Sequence, residues 1–224
     1  MKISILTTIN HPFSGFAIKQ IEKEINIYNI IFDSKKFSSR SQTIWNERTL
    51  GKIPYLDVQK TNSIKKDFVK SHNGNEMFNL IKKDKIDLLV NIGTPRILSK
   101  QIIGAPSIGV MNCHPGILPY YRGCTCVEWA LYNEDPVGNT CHIMTEQIDE
   151  GPIILTEELD IKKLKNYNEI RIGIYLNSIH LIIRALKLVS EKNILDFKIK
   201  NGGKYYKPMD KITFNKMLEN IIKQ

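Results

Sequence analysis

Apolar residues along the first 160 positions follow two rhythms. Short β-branched runs predict strands: KISILTT (2–8), YNIIFDS (28–34), SIGVMNC (107–113), GNTCHIMTE (138–146) and PIILTEELDI (152–161). IDLLVNIG (86–93) is a continuous apolar run bounded by glycine, the pattern of a strand buried on both faces. PYLDV (54–58) predicts one more short strand, and the Ser-rich SKKFSSRSQ (34–42) a loop. Between these runs the period becomes helical. Phe13, Ala17, Ile21 and Ile25 recur every three to four residues from Pro12 to about Asn26. Met77, Phe78, Leu80 and Ile81 follow the Asn73-Gly74-Asn75 punctuation. Residues 166–192 read as one long helix with Ile170, Ile174, Ile179, Ile182, Ile183, Leu186 and Val189 on a buried side. NGGKYY (201–206) is a turn followed by a short strand, and ITFNKMLENII closes the chain as a helix. Strand-helix alternation of this kind predicts an α/β fold with a mostly parallel sheet covered by helices.

Composition changes this picture little. The 224 residues are 42% hydrophobic and 25% charged, which suits one large domain with its own core. A net charge of +9 would suit an anionic partner. The lysines scatter as pairs and form no block, so the charge reads as solvated helix faces and no nucleic-acid partner is expected. Cys113, Cys124, Cys126 and Cys141 lack the paired spacing of a structural zinc site and read as free thiols, so no metal is expected. GIYLNSIHLII (173–183) is too short to span a bilayer, and MKISILTTINHPF reads as a first strand, not a signal peptide. A cytoplasmic protein without a membrane partner is the expectation.

The candidate chemistry sits in MNCHPGILPYYRG (111–123). Asn112 and His114 are two apart at the end of a predicted strand, so amide and imidazole project to one face. In open parallel sheets ligands bind at that edge. An amide can donate to an oxygen gaining negative charge, and a histidine can move a proton near neutral pH. No Gly-x-Ser-x-Gly elbow supplies a nucleophile, and Cys113 alternates to the opposite face, so the attacking group would come from the substrate, for example an amine. Asp149, in the turn TEQIDEGPII, is the candidate to orient His114 and raise its pKa. Taken alone, Asn-x-His and a distant Asp also read as turn and capping residues. Trp129 and Tyr132 read as core packing on a helix, and His11, His72 and His180 as surface or satisfied core residues.

Asn112-Cys-His114-Pro-Gly-Ile-Leu-Pro119-Tyr-Tyr-Arg122-Gly123 resembles the Asn-x-His…Leu-Pro…Arg-Gly motif of the folate-dependent formyltransferases. Gly138-Asn-Thr140-Cys-His142 followed by Asp149-Glu-Gly151 resembles that family's second motif, and Gly93-Thr-Pro95-Arg96-Ile97-Leu98-Ser99 its pteridine-pocket loop. The resemblance covers about residues 86–155 and implies a Rossmann-like, mostly parallel sheet with helices on both faces. Residues 1–165 would form the catalytic domain and 166–224 a C-terminal helix with a short appendage. It implies 10-formyltetrahydrofolate as co-substrate and no metal. Asn112, His114 and Asp149 would be catalytic, with Asp149 holding His114 and an ordered water. Pro95, Arg96, Ile97, Leu98 and Ile148 would contact the pterin, largely through backbone groups. Arg122, Thr140 and His142 would support the site or meet substrate.

Within that family three acceptors compete. Methionyl-tRNA formylation comes with an added C-terminal domain, whereas about 60 residues follow Asp160 here. Glycinamide ribonucleotide enzymes begin with a Gly-Ser-Asn type loop, where this chain has TTINHPFSG (7–15). The Tyr-Arg-Gly loop, Trp129 and GGKYYKP near the end resemble the enzymes that formylate amino sugars, so the expected acceptor is a nucleotide-linked amino-deoxysugar, with glycinamide ribonucleotide as the alternative. A formyl-folate hydrolase and a non-catalytic folate-binding protein are the alternatives of another class. The long C-terminal helix is expected either to support a homodimer or to cover the sheet.

Overall fold

A computed structural model describes residues 1–60, 63–191, 197–199 and 202–222. Its contacts gather the chain into two compact units. The first comprises Met1–Asn46, Gly51–Asn112 and Ile143–Glu146; the second comprises Glu47–Leu50, Cys113–His142 and the described residues from Gln147 onward. This grouping differs from a division at residue 165, since the C-terminal helices share a unit with residues 113–142.

The first unit is built on β1 (Ile3–Thr8), β2 (Asn29–Asp33), β3 (Lys65–Val69), β4 (Leu88–Asn91) and the start of β5 (Gly109–His114). All adjacent pairs are parallel, in the order β3-β2-β1-β4-β5, with Ile5 opposite Ile30 and Val90, and Val90 opposite Met111. The order reverses between β1 and β4, so right-handed crossovers place the flanking helices on opposite faces. On one face Leu6, Ile31, Leu89 and Val110 pack with Met77 and Ile81 of α3 (Asn75–Asp84) and Ile102 of α4 (Lys100–Ile103). On the other, Ile5, Ile30, Val90 and Met111 are buried, as are Ala17, Ile18 and Ile21 of α1 (Ser14–Ile21). The α/β architecture and its mostly parallel sheet thus match the alternation in the sequence.

Three local expectations fail. Residues 54–58 form no strand; the strand is Lys65–Val69, whose KKDFV carries only one buried residue because it lies at the sheet edge. The polar stretch expected as loop from 34 to 42 already enters α2 (Ser39–Thr49) at Ser39. Its residues are mostly solvated, so no apolar stripe announces it. Finally, α1 ends at Ile21, short of Asn26.

In the second unit β7 (Gly138–Ile143) and β8 (Ile153–Glu158) are antiparallel, with a register irregularity between Cys141 and His142. A short parallel pair joins β6 (Tyr121–Gly123) to β9 (Lys204–Tyr206). The core of this unit gathers Val127 and Leu131 of α5 (Cys126–Tyr132), Ile170 and Ile174 of α6 (Tyr167–Glu191), and Met217 of α7 (Lys211–Ile222). Trp129 packs partly buried against this core, as expected. Position 192 of the expected long helix and position 201 of the expected turn lie outside the described residues. α6 has 25 residues and contains an 18-residue window of mean hydropathy 1.4, long and apolar enough to cross a membrane by length and composition alone, unlike its eleven-residue apolar stretch. Ile170 and Ile174 nevertheless pack in the unit's core, and Arg171 is buried beside Glu128. Glu128 is fully buried and meets Arg48 Nη2 at 2.9 Å, Tyr167 Oη at 2.6 Å and Arg171 Nη1 at 3.7 Å.

Candidate active site

Asp149 sits in the turn between β7 and β8 with φ +57°, a left-handed conformation that Asp tolerates better than most side chains. That geometry delivers its carboxylate to three groups of the second unit. The Gly123 N–H donates to Oδ2 at 2.9 Å, His114 Nδ1 lies 3.4 Å from Oδ2, and His142 Nε2 lies 3.5 Å from Oδ1. Gly123 can do this because it approaches the β9 backbone closely: a Cβ would stand 2.4 Å from the Tyr206 carbonyl oxygen, and φ is +94°. Burial by itself would raise the Asp149 carboxyl. The hydrogen bond from His142, the electrostatic influence of the His114 ring and the Gly123 N–H outweigh it and hold the group below its usual range.

His114 is buried, and its Nε2 lies 2.8 Å from the Tyr121 carbonyl oxygen. A carbonyl only accepts, so Nε2 carries the proton and Nδ1 is the basic nitrogen, turned to Asp149. Burial lowers the His114 pKa; Asp149 and the Tyr121 carbonyl push it up without overcoming that. Asp149 thus raises the His114 pKa as expected, and desolvation outweighs it. A proton at Nδ1 would find its counter-charge in place. Gly116 lies against this ring: a Cβ there would stand 2.7 Å from Nε2.

Thr140 acts on the loop after β5. Its hydroxyl donates to the Gly116 carbonyl at 2.8 Å and accepts the Leu118 N–H at 3.1 Å. His142 shares Asp149 with His114, which agrees with a supporting position. Arg122 is paired with Glu150. Its guanidinium is therefore engaged beside the Asp149 turn, where the sequence left open a substrate contact.

In the first unit, Asn112 Oδ1 accepts from Asn91 Nδ2 at 3.0 Å; the two residues are opposite one another on β5 and β4. Asn91 Oδ1 accepts the N–H groups of Gly93 at 3.1 Å and Thr94 at 2.9 Å, which anchors the loop that follows. In that loop Arg96 forks onto Asp33, with Nη2 at 2.9 Å from Oδ1 and Nε on Oδ2. Burial would raise the Asp33 carboxyl, but Arg96 and the N–H groups of His72 and Lys35 bring it below its usual range. Leu98 is buried in the core beside Ile102. The side chains of Arg96 and Leu98 are therefore committed to the fold, and these two positions can offer a ligand only their backbone. Ile97 is 78% exposed and Pro95 is half-buried, so this loop does present an apolar surface. Asn73 clamps it, donating to the Ile97 carbonyl at 2.8 Å and accepting the Ser99 N–H at 2.8 Å. Ile148, in the second unit, is 45% exposed.

Asn91, Asn73, Asp33 and the Tyr121 carbonyl escaped the sequence. Of these, only Asn91 carries a local signal: a polar residue closing the apolar run LLVN (88–91). His72 is a satisfied core histidine, its Nε2 3.1 Å from the Ile31 carbonyl and its Nδ1 2.7 Å from Thr94 Oγ1; His180 is exposed. All four cysteines are free, and among the described residues no His, Cys, Asp and Glu group is arranged to hold a metal ion.

A parallel α/β sheet with an amide and an imidazole at the end of its fifth strand, the imidazole backed by a carboxylate, has the groups of an acyl-transferring enzyme without its own nucleophile. A family profile described as Formyl transferase matches residues 15–175, more than half of the chain. The chain belongs to the formyl transferase family. It is 26% identical over 219 residues to the methionyl-tRNA formyltransferase of Clostridium beijerinckii, covering 93% of this chain and 68% of that one. The chain spans from 40% to 68% of the lengths of the curated relatives it matches most strongly. Its fold is similar to a sugar N-formyltransferase from a Shewanella species (TM-score 0.63, 17% identity, 99% of this chain and 88% of that one). It is equally similar to phosphoribosylglycinamide formyltransferase from Anaplasma phagocytophilum (TM-score 0.66, 17% identity, 94% and 99%).

Proposed function

We propose that this chain transfers the formyl group of 10-formyltetrahydrofolate to the primary amine of a nucleotide-linked amino-deoxysugar. The observation that supports formyl transfer best is the pairing of His114 Nδ1 with Asp149 at 3.4 Å while Nε2 is engaged by the Tyr121 carbonyl. This leaves one basic nitrogen, of defined identity, beside a negative charge. Asn112 is two residues away on the same strand. In the proposed reaction the amine nitrogen attacks the formyl carbon and its oxygen becomes an oxyanion stabilised by the Asn112 amide. The amine proton passes to His114 Nδ1, where Asp149 balances the imidazolium. The same proton then goes to N10 of the folate as the C–N10 bond breaks, giving the formamide and tetrahydrofolate. Exposed Ile97 suits contact with a flat heteroaromatic ring.

The loop after β1 bears on the acceptor. Its backbone N–H at Ser14, which opens α1, donates to His11 Nδ1 at 3.2 Å, and the His11 ring packs edge-on against Phe37 at 4.8 Å. A histidine therefore occupies a helix N-terminus that could otherwise bind a ribose phosphate, which disfavours glycinamide ribonucleotide. Methionyl-tRNA is the second reading. Curated relatives in sequence carry that name, and the +9 charge would suit it, so the exclusion of nucleic acid expected above is withdrawn.

The test is release of tetrahydrofolate from 10-formyltetrahydrofolate in the presence of several nucleotide-linked amino-deoxysugars, glycinamide ribonucleotide, or charged methionyl-tRNA. Release dependent on an amino sugar supports the proposal. Release only with one of the other acceptors reassigns the substrate. Amine-independent release makes the protein a hydrolase, and saturable folate binding without turnover makes it a binding protein.

A further inference from the structure

Amide side chains have two ends of opposite hydrogen-bonding character, and an oxyanion is stabilised only by the N–H end. Rotation about the last torsion of an asparagine interchanges those ends at little intrinsic cost, so something must choose. We infer that Asn91 is a positioning residue that fixes the Asn112 amide with its donor end toward the formyl oxygen. This inference rests on the formyl-transfer reading and deepens it.

The chain of reasoning begins in the backbone. The N–H groups of Gly93 and Thr94 can only donate, and both point at one atom of the Asn91 side chain, at 3.1 and 2.9 Å. That atom must be the carbonyl oxygen. The other atom of the Asn91 amide is then the NH2 group, and it faces Asn112 across the β4–β5 pairing at 3.0 Å. A donor there requires an acceptor opposite, so Asn112 presents Oδ1 to Asn91. The Asn112 NH2 group lies about 120° away around the same carbon, turned from Asn91. Two backbone donors thus set one amide, and that amide sets the next. With the opposite orientation, Asn112 would place a carbonyl oxygen against the developing oxyanion, and repulsion would replace stabilisation.

Asn91→Asp separates this role from a merely structural one. Aspartate keeps an oxygen for the Gly93 and Thr94 N–H groups, so the loop stays anchored. Its second oxygen, now an acceptor, faces Asn112 and draws the Asn112 NH2 group toward itself. Turnover is expected to fall at least a hundredfold, the usual size for one lost oxyanion donor, with the KM for 10-formyltetrahydrofolate within about threefold of wild type. Asn91→Asp combined with Asn112→Ala should be no slower than Asn112→Ala alone. Side-chain amide NMR on protein carrying 15N-asparagine reads the pairing independently of turnover. The Asn112 signals should move in Asn91→Asp, and the Asn91 signals in Asn112→Ala. Wild-type turnover in Asn91→Asp, or unmoved amide signals in both variants, overturns the inference. A wild-type protein inactive with every acceptor defeats formyl transfer, and the NMR arm then still decides whether Asn91 orients Asn112.

Discussion

Replacing Asp149 by Asn tests the proton-handling half of the site with little disturbance to its frame. Asn tolerates φ +57° as well as Asp does, and its carbonyl can still accept the Gly123 N–H, so the turn is retained. What disappears is the negative charge 3.4 Å from His114 Nδ1. At an effective dielectric of about 20, opposite unit charges at that separation attract by about 5 kcal/mol, an upper bound on what the imidazolium loses. That bound corresponds to about 4 × 10³ in rate, so of the usual acid–base contributions of about 10²–10⁴ turnover should drop by about 10²–10³. The His114 titration should also move to lower pH, because Asp149 is what opposes burial there. Histidine NMR across pH 4–8 would read that shift without knowledge of the acceptor, with thermal unfolding to show that the variant is folded. An unshifted His114 titration, or turnover within fivefold of wild type, would refute the assigned partnership. A linked consequence concerns stability. The native Asp149 carboxyl titrates below its unfolded value of about 3.9, so its stabilisation is complete above that pH and is lost as pH falls through the native value; the Asn variant should lack this component.

Thr140→Val removes a hydroxyl that makes two buried backbone hydrogen bonds, and should cost about 2–3 kcal/mol in urea unfolding; an unchanged midpoint would show that the 116–118 loop does not rely on it. Glu128→Gln leaves Arg171 buried without its counter-charge and should destabilise by about 3–5 kcal/mol, so a loss under 1 kcal/mol in the same assay would contradict the ion-pair account. Burial lowers His11 to about 4, below an unfolded value of about 6.5. Its contribution is intact above pH 6.5 and declines toward pH 4, by about 3 kcal/mol at most because the ring is only partly covered. His11→Gln should flatten stability across that window, and an unaltered pH dependence would remove His11 from the account.

Buried strands were legible because burial writes itself into composition: LLV of β4 and VM of β5 are apolar on both faces. The edge strand KKDFV was not, since an edge faces water and takes charged residues. The same distinction runs through the site. Asn112, His114 and Asp149 stand out as candidates because their spacing forms a motif, and the strand alternation of Asn112 and His114 follows from backbone geometry. The pairing of the Arg96 side chain with Asp33, 63 residues away, has no local pattern, so its structural engagement could not be read from the sequence. Asn91 and the Tyr121 carbonyl depend in the same way on register and on the path of the loop. The net lowering of the His114 pKa was beyond the sequence because desolvation depends on the whole surroundings of the ring.

The pairing of β6 with β9 carries a practical constraint. Gly123 faces the carboxylate of Asp149 with its N–H while its backbone lies along Lys204–Tyr206. A segment eighty residues downstream of Gly123 therefore braces the strand that holds the Asp149 carboxylate. Anyone trimming the protein, or grafting a foreign module after α6, would have to carry the KYY triplet along, because removing it would slacken the Asp149 carboxylate without touching a residue near it in sequence.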